Sequence, residues 1–178
     1  MNTINKDNKH SLYLWLDLEM TGLDVEKERI IEVGAIITDT QLNPIDDFHR
    51  IVFQPNELLA KMDDWNQKHH GASGLLDAIP DGDKEEAVEK DLIDWCEKHF
   101  NEPIILAGNS IGQDRLFIDK YFTEFARHLH YRQLDVTSFK LHFATQGVEF
   151  KKKNTHRAID DIKESIEELK FFWSHVKV

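Results

Sequence analysis

Two carboxylates, Asp17 and Glu19, stand at the end of an otherwise apolar run, Leu12-Tyr13-Leu14-Trp15-Leu16-Asp17-Leu18-Glu19-Met20. Side chains two apart on a strand share a face, so two negative charges lie side by side at the edge of a hydrophobic core. Like charges so placed repel. A buried, unpaired carboxylate costs several kcal/mol or takes up a proton. A hard divalent cation removes that penalty, because Mg²⁺ and Mn²⁺ take oxygen ligands. The pair reads as half of a metal site.

Residues far along the chain can supply the other half. Asp114 falls in the first turn of a predicted helix that follows the strand Ile104 to Gly108. A carboxylate there also favours the helix N-terminus electrostatically, so a purely structural reading stands beside the ligand reading. Asn109 and Ser110 lie at the carboxyl end of that strand, where open sheets place their sites. The stretch Thr155-His156-Arg157-Ala158-Ile159-Asp160-Asp161-Ile162 puts a His just ahead of a helix and two acids inside it. At about 100° per residue, neither acid points into the centre of the Ile159/Ile162/Ile166 stripe. Asp161 shares its flank with Ala158 and Ser165, small residues that allow close approach to another element. Asp160 projects among larger polar neighbours, so geometry favours Asp161. A lone His is most often structural or solvated. His156 gains weight from an acid one turn on, and from an ordinary pKa of about 6.5 that suits a general base. Four carboxylates and one His could hold two divalent ions about 3.5–4 Å apart and activate a water for phosphodiester hydrolysis.

The elements that must position these groups are legible in outline. Leu12 to Asp17 reads as a buried strand, and Met20 to Asp24 as a turn or loop. Arg29 to Asp39 is rich in β-branched residues and predicts a second strand. Asn43-Pro44 signals a turn, and Phe48 to Phe53 alternates weakly as a third strand. Short helical patterns run from Glu57 to His70, and Asp77 to Asp83 is loop-like. Lys84 to Phe100 predicts a long amphipathic helix. Ser110 fits an N-cap, with Gln113 completing a capping box, ahead of a helix through Leu116, Phe117 and Tyr121. Arg132 to Asp135 predicts a strand, followed by a helix through Phe139 and Phe143. Ala158 to Val176 predicts the last helix, with Ile159, Ile162, Ile166, Leu169 and Trp173 along one face. Strands first, then helices alternating with strands, imply an α/β fold with a mixed sheet covered by helices.

Composition narrows the class. The chain has 178 residues, 40% hydrophobic and 31% charged, which fits one domain with a core of its own (residues 11–178) behind a polar tail (residues 1–10). No apolar run is long enough for a membrane span, and the tail lacks the apolar segment of a secretory signal. The lone Cys96 excludes an internal disulfide and suits a reducing cytoplasm; its place in an amphipathic pattern suits inert packing. A net charge of −11 argues against a long nucleic-acid polymer as partner, because such binding draws on many Lys and Arg contacts. A very short nucleic acid needs only a few local cations. The basic run Lys151-Lys152-Lys153 reads as a solvated loop.

Asp17-x-Glu19, then Asp114, then His156 with Asp161 five residues later, resembles the DEDDh group of 3′-to-5′ exonucleases, which have an RNase H-like fold. More narrowly, four blocks resemble the oligoribonuclease family: Trp15 to Leu23 (Trp-Leu-Asp-Leu-Glu-Met-Thr-Gly-Leu), Met62-Asp63-Asp64-Trp65-Asn66, Gly108 to Arg115 (Gly-Asn-Ser-Ile-Gly-Gln-Asp-Arg), and His130-Tyr131-Arg132-x-Leu134-Asp135. The match runs from about Leu12 to Trp173. The resemblance implies that Asp17, Glu19, Asp114 and Asp161 ligate two Mg²⁺ or Mn²⁺ ions and that His156 deprotonates the attacking water. It implies a homodimer that removes 5′ mononucleotides from very short single-stranded RNAs, with diribonucleotides as characteristic substrates. Leu23 would wedge against the bases and Trp65 would stack on one; core packing is the alternative for both. His70 would sit near the scissile phosphate. Ser110 and Arg132 would cap the 5′ phosphate and block a third nucleotide, and Tyr131 would reach the partner protomer's site. One Ser hydroxyl can serve helix cap and phosphate together. Thr137 stands where the family usually has Ser, which keeps a hydroxyl. Residues 145–154 depart from the family's Arg-Trp-rich stretch. The nearest rivals are a proofreading-type DNA exonuclease of the same fold and a catalytically silent nucleotide-binding module.

Overall fold

Alternation along the first strand sets the architecture seen in a computed structural model, which describes residues 11–151 and 157–176. The expected N-terminal tail, His156 and most of the Lys151–Lys153 run lie outside the described residues. Strand β1 (Leu12–Met20) pairs antiparallel with β2 (Ile30–Asp39) and parallel with β4 (Ile104–Gly108). Strand β3 (Pro44–Ile51) pairs antiparallel with β2, and β5 (Leu129–Asp135) parallel with β4. The sheet order is β3-β2-β1-β4-β5, a mixed sheet as expected. Parallel neighbours need crossovers, and helices supply them. Between β3 and β4 lie α1 (Asn56–Leu59), α2 (Asp64–Ala72), α3 (Leu75–Ala78), a 3₁₀ turn (Ile79–Asp81) and α4 (Glu85–Cys96). Between β4 and β5 lie α5 (Gly112–Tyr121) and α6 (Thr123–Ala126); α7 (Val136–Ala144) and α8 (Ala158–His175) follow β5. Among the described residues no helix is long and apolar enough to cross a membrane.

The two faces of β1 feed two cores. Leu14, Leu16, Leu18 and Met20 pack with Leu92, Trp95 and Cys96 of α4, with Phe117 and Ile118 of α5, and with Phe122 and Phe125. Trp15 joins Ile36, Ala107, Val136 and Phe143 with Ile162, Ile166, Leu169 and Phe172 of α8. Asp17 and Glu19 continue the Trp15 side, so they point to the layer that α8 occupies. The buried stripe of α8 runs through Phe172, leaving Ile159 and Trp173 half-buried at its flanks.

Three local expectations need correction. β1 runs on to Met20, past the expected end at Asp17 and one residue into the expected turn. Residues 77–83 are not simply loop: Leu75 and Ile79 are buried against Ile31 and wind the segment into two short turns too brief for periodicity to register. Ser110 does not cap α5. It adopts a left-handed conformation (φ 51°), the helix starts at Gly112, and the N-cap residue, Ile111, makes no side-chain capping bond. The Ser110 N–H donates instead to Asp135 Oδ1 (3.0 Å) and Thr137 Oγ1 (2.8 Å), while the Gln113 side chain donates to the Leu23 carbonyl (2.8 Å). The capping box is not formed: Ile111 and not Ser110 stands at the N-cap position, and the Gln113 side chain is taken up by Leu23.

Gly34 faces Asp17 across the β1–β2 ladder and lies under the start of α8. A Cβ at Gly34 would stand 2.7 Å from Ala158 Cβ and 3.0 Å from the Ala158 carbonyl carbon. The missing side chain lets α8 touch the sheet at that point. Gly34→Ala overpacks this contact and should lower the unfolding free energy by about 1–3 kcal/mol in urea denaturation. An unchanged midpoint would mean that the first turn of α8 moves off at no cost.

Candidate active site

Asp17 and Glu19 on β1 meet Asp161 in the first turn of α8. One carboxylate oxygen from each of the three lies within 4.8 Å of the others. Asp160, the adjacent acid, is exposed and pairs with Lys163 at 3.5 Å. The 100° step between neighbouring helix positions is what separates a clustered acid from a solvated one. The set is all oxygen, which matches a hard divalent ion and not the nitrogen and sulfur of a structural zinc site.

The electrostatics of the cluster agree. Burial, then the nearby charges of Glu32, Asp161 and Asp114, push the Glu19 carboxyl up to about 8 from an ordinary 4.5, with Arg157 opposing. A cation among these oxygens would reverse that shift, because it favours the ionised form.

Asp114 is buried in the first turn of α5, outside the group of three. β1 pairs with β4 only at Leu14 and Trp15. Beyond that point Asp114 Oδ1 accepts the Leu18 N–H at 2.9 Å, taking the place of a strand. Burial is the main cause that pushes its carboxyl up to about 7, against the backbone hydrogen bonds that lower it. Asp114 is therefore anchored on the residue between Asp17 and Glu19, near enough to act on Glu19's charge.

His70 is buried in the last turn of α2. Its Nε2 donates to the Met20 carbonyl (3.1 Å), which turns Nδ1 toward Glu19 Oε2 at 3.8 Å. Leu23, Trp65 and Tyr131 are 72%, 58% and 76% exposed, so the core-packing alternative fails for Leu23 and Trp65. Trp65 stacks on His69 with ring centroids 3.8 Å apart. Ser110 Oγ lies 3.1 Å from Thr137 Oγ1, and Arg132 is exposed with its guanidinium 5.1 Å from the Tyr131 ring centre. Cys96 is buried, and burial pushes its thiol up to about 12, in keeping with packing.

Sequence reasoning missed Glu32, which faces Glu19 across the ladder and is bonded by Arg157. Its signal was available: it is the one charged residue in Ile30-Ile31-Glu32-Val33-Gly34-Ala35-Ile36-Ile37.

An exonuclease family of the RNase T type matches residues 14–169. An oligoribonuclease of Francisella tularensis subsp. tularensis is 46% identical over 166 residues, which is 89% of this chain and 92% of the relative. An oligoribonuclease of Shewanella putrefaciens is 44% identical over 170 residues, 92% of this chain and 94% of the relative. Among solved structures, the zinc-bound E. coli exonuclease I in complex with single-stranded DNA has a TM-score of 0.74 at 16% identity, covering 93% of this chain and 41% of that one. Exonuclease I from Methylocaldum szegediense gives 0.72 at 16% identity, covering 94% and 41%. The chain spans about two fifths of those two proteins, and the likeness to them is one of fold. The sheet order and flanking helices are thus those of an RNase H-like exonuclease. The chain belongs to the exonuclease family and, within it, to the oligoribonucleases.

The raised carboxyls carry a pH signature. With a folded-state value above the unfolded one, the folded protein binds more protons, so stability falls as pH rises between the two. For Glu19 that window runs from 4.5 to about 8, and for Asp114 from 3.8 to about 7. Metal-free protein should therefore melt lower at about pH 8 than at about pH 5, and Mn²⁺ should restore more at the higher value. The slope should shrink in Glu19→Gln. An identical slope in that variant would rule out Glu19 as its source.

Proposed function

We propose that this chain is a 3′-to-5′ exoribonuclease that hydrolyses very short oligoribonucleotides, chiefly diribonucleotides, to 5′ mononucleotides. The observation that carries the reading is the meeting of Asp17, Glu19 and Asp161, drawn from opposite ends of the chain, at one point. With Asp114 beside them, these acids would hold two divalent cations, Mg²⁺ or Mn²⁺, whose charge stabilises the attacking and leaving oxygens of phosphodiester cleavage. The similarity to oligoribonucleases supports the substrate class. The net charge of −11 suits a short substrate gripped by a few local groups.

The remaining roles belong to side chains. His156 takes the proton of the attacking water as the water oxygen bonds to phosphorus. The bond from phosphorus to the 3′ oxygen then breaks, and that oxygen leaves with a proton from solvent. His70 stands by the scissile phosphate, with its ring fixed by the Met20 carbonyl. Leu23 and Trp65, both exposed, meet the bases; stacking on an aromatic is worth about 1–3 kcal/mol per base. Ser110 and Arg132 bind the 5′ phosphate, the latter with two parallel N–H donors. Capping that phosphate leaves no path for a third nucleotide. The working unit is a homodimer in which Tyr131 reaches the partner's pocket, and residues 11–178 form one exonuclease domain of a cytoplasmic protein.

Purified protein should release mononucleotides from a 5′-phosphorylated diribonucleotide in Mg²⁺ or Mn²⁺, and EDTA should abolish release. Turnover that survives chelation would refute the metal reading. Faster cleavage of long single-stranded DNA than of the diribonucleotide would favour a DNA exonuclease. Nucleotide binding without hydrolysis would leave a silent binding module.

The dimer makes a separate claim. Tyr131→Ala should lower turnover about tenfold or more while Mn²⁺ binding stays intact, on the scale of one lost base contact. Unchanged turnover would remove the cross-subunit role.

A further inference from the structure

Glu32 is 1% exposed in a strand that is otherwise apolar, on the face that α8 covers. A charge buried there is costly unless donors compensate it. Three residues, one on β3 and two at the start of α8, send donors to it. His49 Nε2 of β3 lies 2.7 Å from Oε1. Arg157 brings Nε (3.0 Å) and Nη2 (2.9 Å) to the same oxygen. The Ala158 N–H donates to Oε2 at 3.3 Å. Burial raises the Glu32 carboxyl, but the bonds from His49 and Arg157 outweigh it and hold the group below its ordinary range.

The place of these donors in the chain gives the network its meaning. Helix α8 has Arg157 at its N-cap position and no capping bond from Arg157's own side chain. The first N–H groups of a helix need partners from outside it. Glu32 supplies one from the neighbouring sheet by accepting the Ala158 N–H. Arg157 in turn offers its carbonyl to the Asp161 N–H at 3.0 Å, so the gripped residue is hydrogen-bonded directly to the third member of the acid cluster. A further donor, Arg157 Nη1, reaches the Ser73 carbonyl (3.3 Å) at the end of α2, the helix that carries Trp65 and His70. One guanidinium therefore ties α2, β2 and the start of α8 together.

We propose that Glu32 and Arg157 are positioning residues: their buried pair clamps the first turn of α8 to β2 and so delivers Asp161 to Asp17 and Glu19. This inference rests on the reading of those three acids as metal ligands. Neither Glu32 nor Arg157 touches the substrate in this account, so the pair acts first on metal binding and turnover, and on substrate affinity only through the single bond from Arg157 to the end of α2.

Arg157→Ala by itself strands a buried charge and can fail to fold, so the informative variant is the double substitution Glu32→Gln with Arg157→Ala, which leaves no charge unpaired. Mn²⁺ binding would be measured without substrate by electron paramagnetic resonance. Turnover and KM would be measured on a 5′-phosphorylated diribonucleotide, and folding by circular dichroism. The folded double variant should bind Mn²⁺ about tenfold or more weakly and lose about as much in kcat, with KM changed by less than about threefold, as for other residues that orient metal ligands. Arg157→Lys, which keeps the charge and one donor, should lose less. A folded double variant with Mn²⁺ affinity and kcat at the parent level would reduce the pair to a structural contact. Asp161→Asn separates the two claims. If it too keeps Mn²⁺ binding and turnover, the ligand assignment has failed. If it loses both while the double variant loses neither, the clamp alone has failed.

Discussion

Carboxylates whose oxygens lie within 4.8 Å of one another repel, so the elements that carry Asp17, Glu19 and Asp161 must be held by something stronger. At an effective dielectric constant of about 20, each pair of full charges at that separation costs roughly 3 kcal/mol. With its carboxyl pushed up to about 8 by burial and by the neighbouring acids, Glu19 without a cation relieves part of that repulsion by holding a proton. Against it stand Ile162, Ile166, Leu169 and Phe172 of α8, buried on the sheet at about 1.5–3 kcal/mol each. Packing wins with room to spare while Glu19 keeps its proton. When Glu19 ionises, two more repulsive pairs appear and the margin shrinks. A cation is the natural remedy, because its charge offsets the mutual repulsion of the three carboxylates.

The same packing must also be precise along the helix axis. A hydrophobic stripe is tolerant of small slides, whereas a ligand set is not. Two features at the start of α8 remove that freedom. Gly34 admits the Ala158 backbone to a distance that any side chain would forbid. Glu32 then fixes the phase of the first turn through the Arg157 guanidinium and the Ala158 amide. Both sit on β2, one beside Asp17 and the other beside Glu19 in the ladder. The strand next to the acids thus carries the fittings for the helix that completes them.

Much of this was legible in the chain because it depends on short-range periodicity. The alternation of β1 placed Asp17 and Glu19 on one face, and helical phase told Asp161 from Asp160. What the sequence hides is long-range or particular to one backbone geometry. The Glu32–Arg157 pair joins positions 125 apart, and no local pattern links an acid in a strand to a base before a helix. Ser110 with Gln113 had the spacing of a capping box, but the left-handed turn at Ser110 follows from tertiary bonds to Asp135 and Thr137. Asp114 was readable as an acid at a helix N-terminus; that it fills a vacancy in the β1–β4 ladder is visible only once β4 is seen to stop short.

The distribution of exposed groups bears on the size of the substrate. A protein that tracks a long polyanion needs a row of cations, and each phosphate contact adds to a steep salt dependence. This chain carries 33 acidic against 22 basic side chains, and many of its cations are engaged with acids: Arg50 with Asp91, Arg115 with Asp119, Lys120 with Glu26 and Arg157 with Glu32. Three large apolar or aromatic side chains are also exposed: Leu23 just past β1, Trp65 on α2, and Tyr131 beside Arg132 on β5. An exposed aromatic ring can stack on a single base, a contact that further strand length does not strengthen. A net charge of −11 with cations paired in this way suits a short strand better than a long polyanion, which draws its affinity from many unpaired cations.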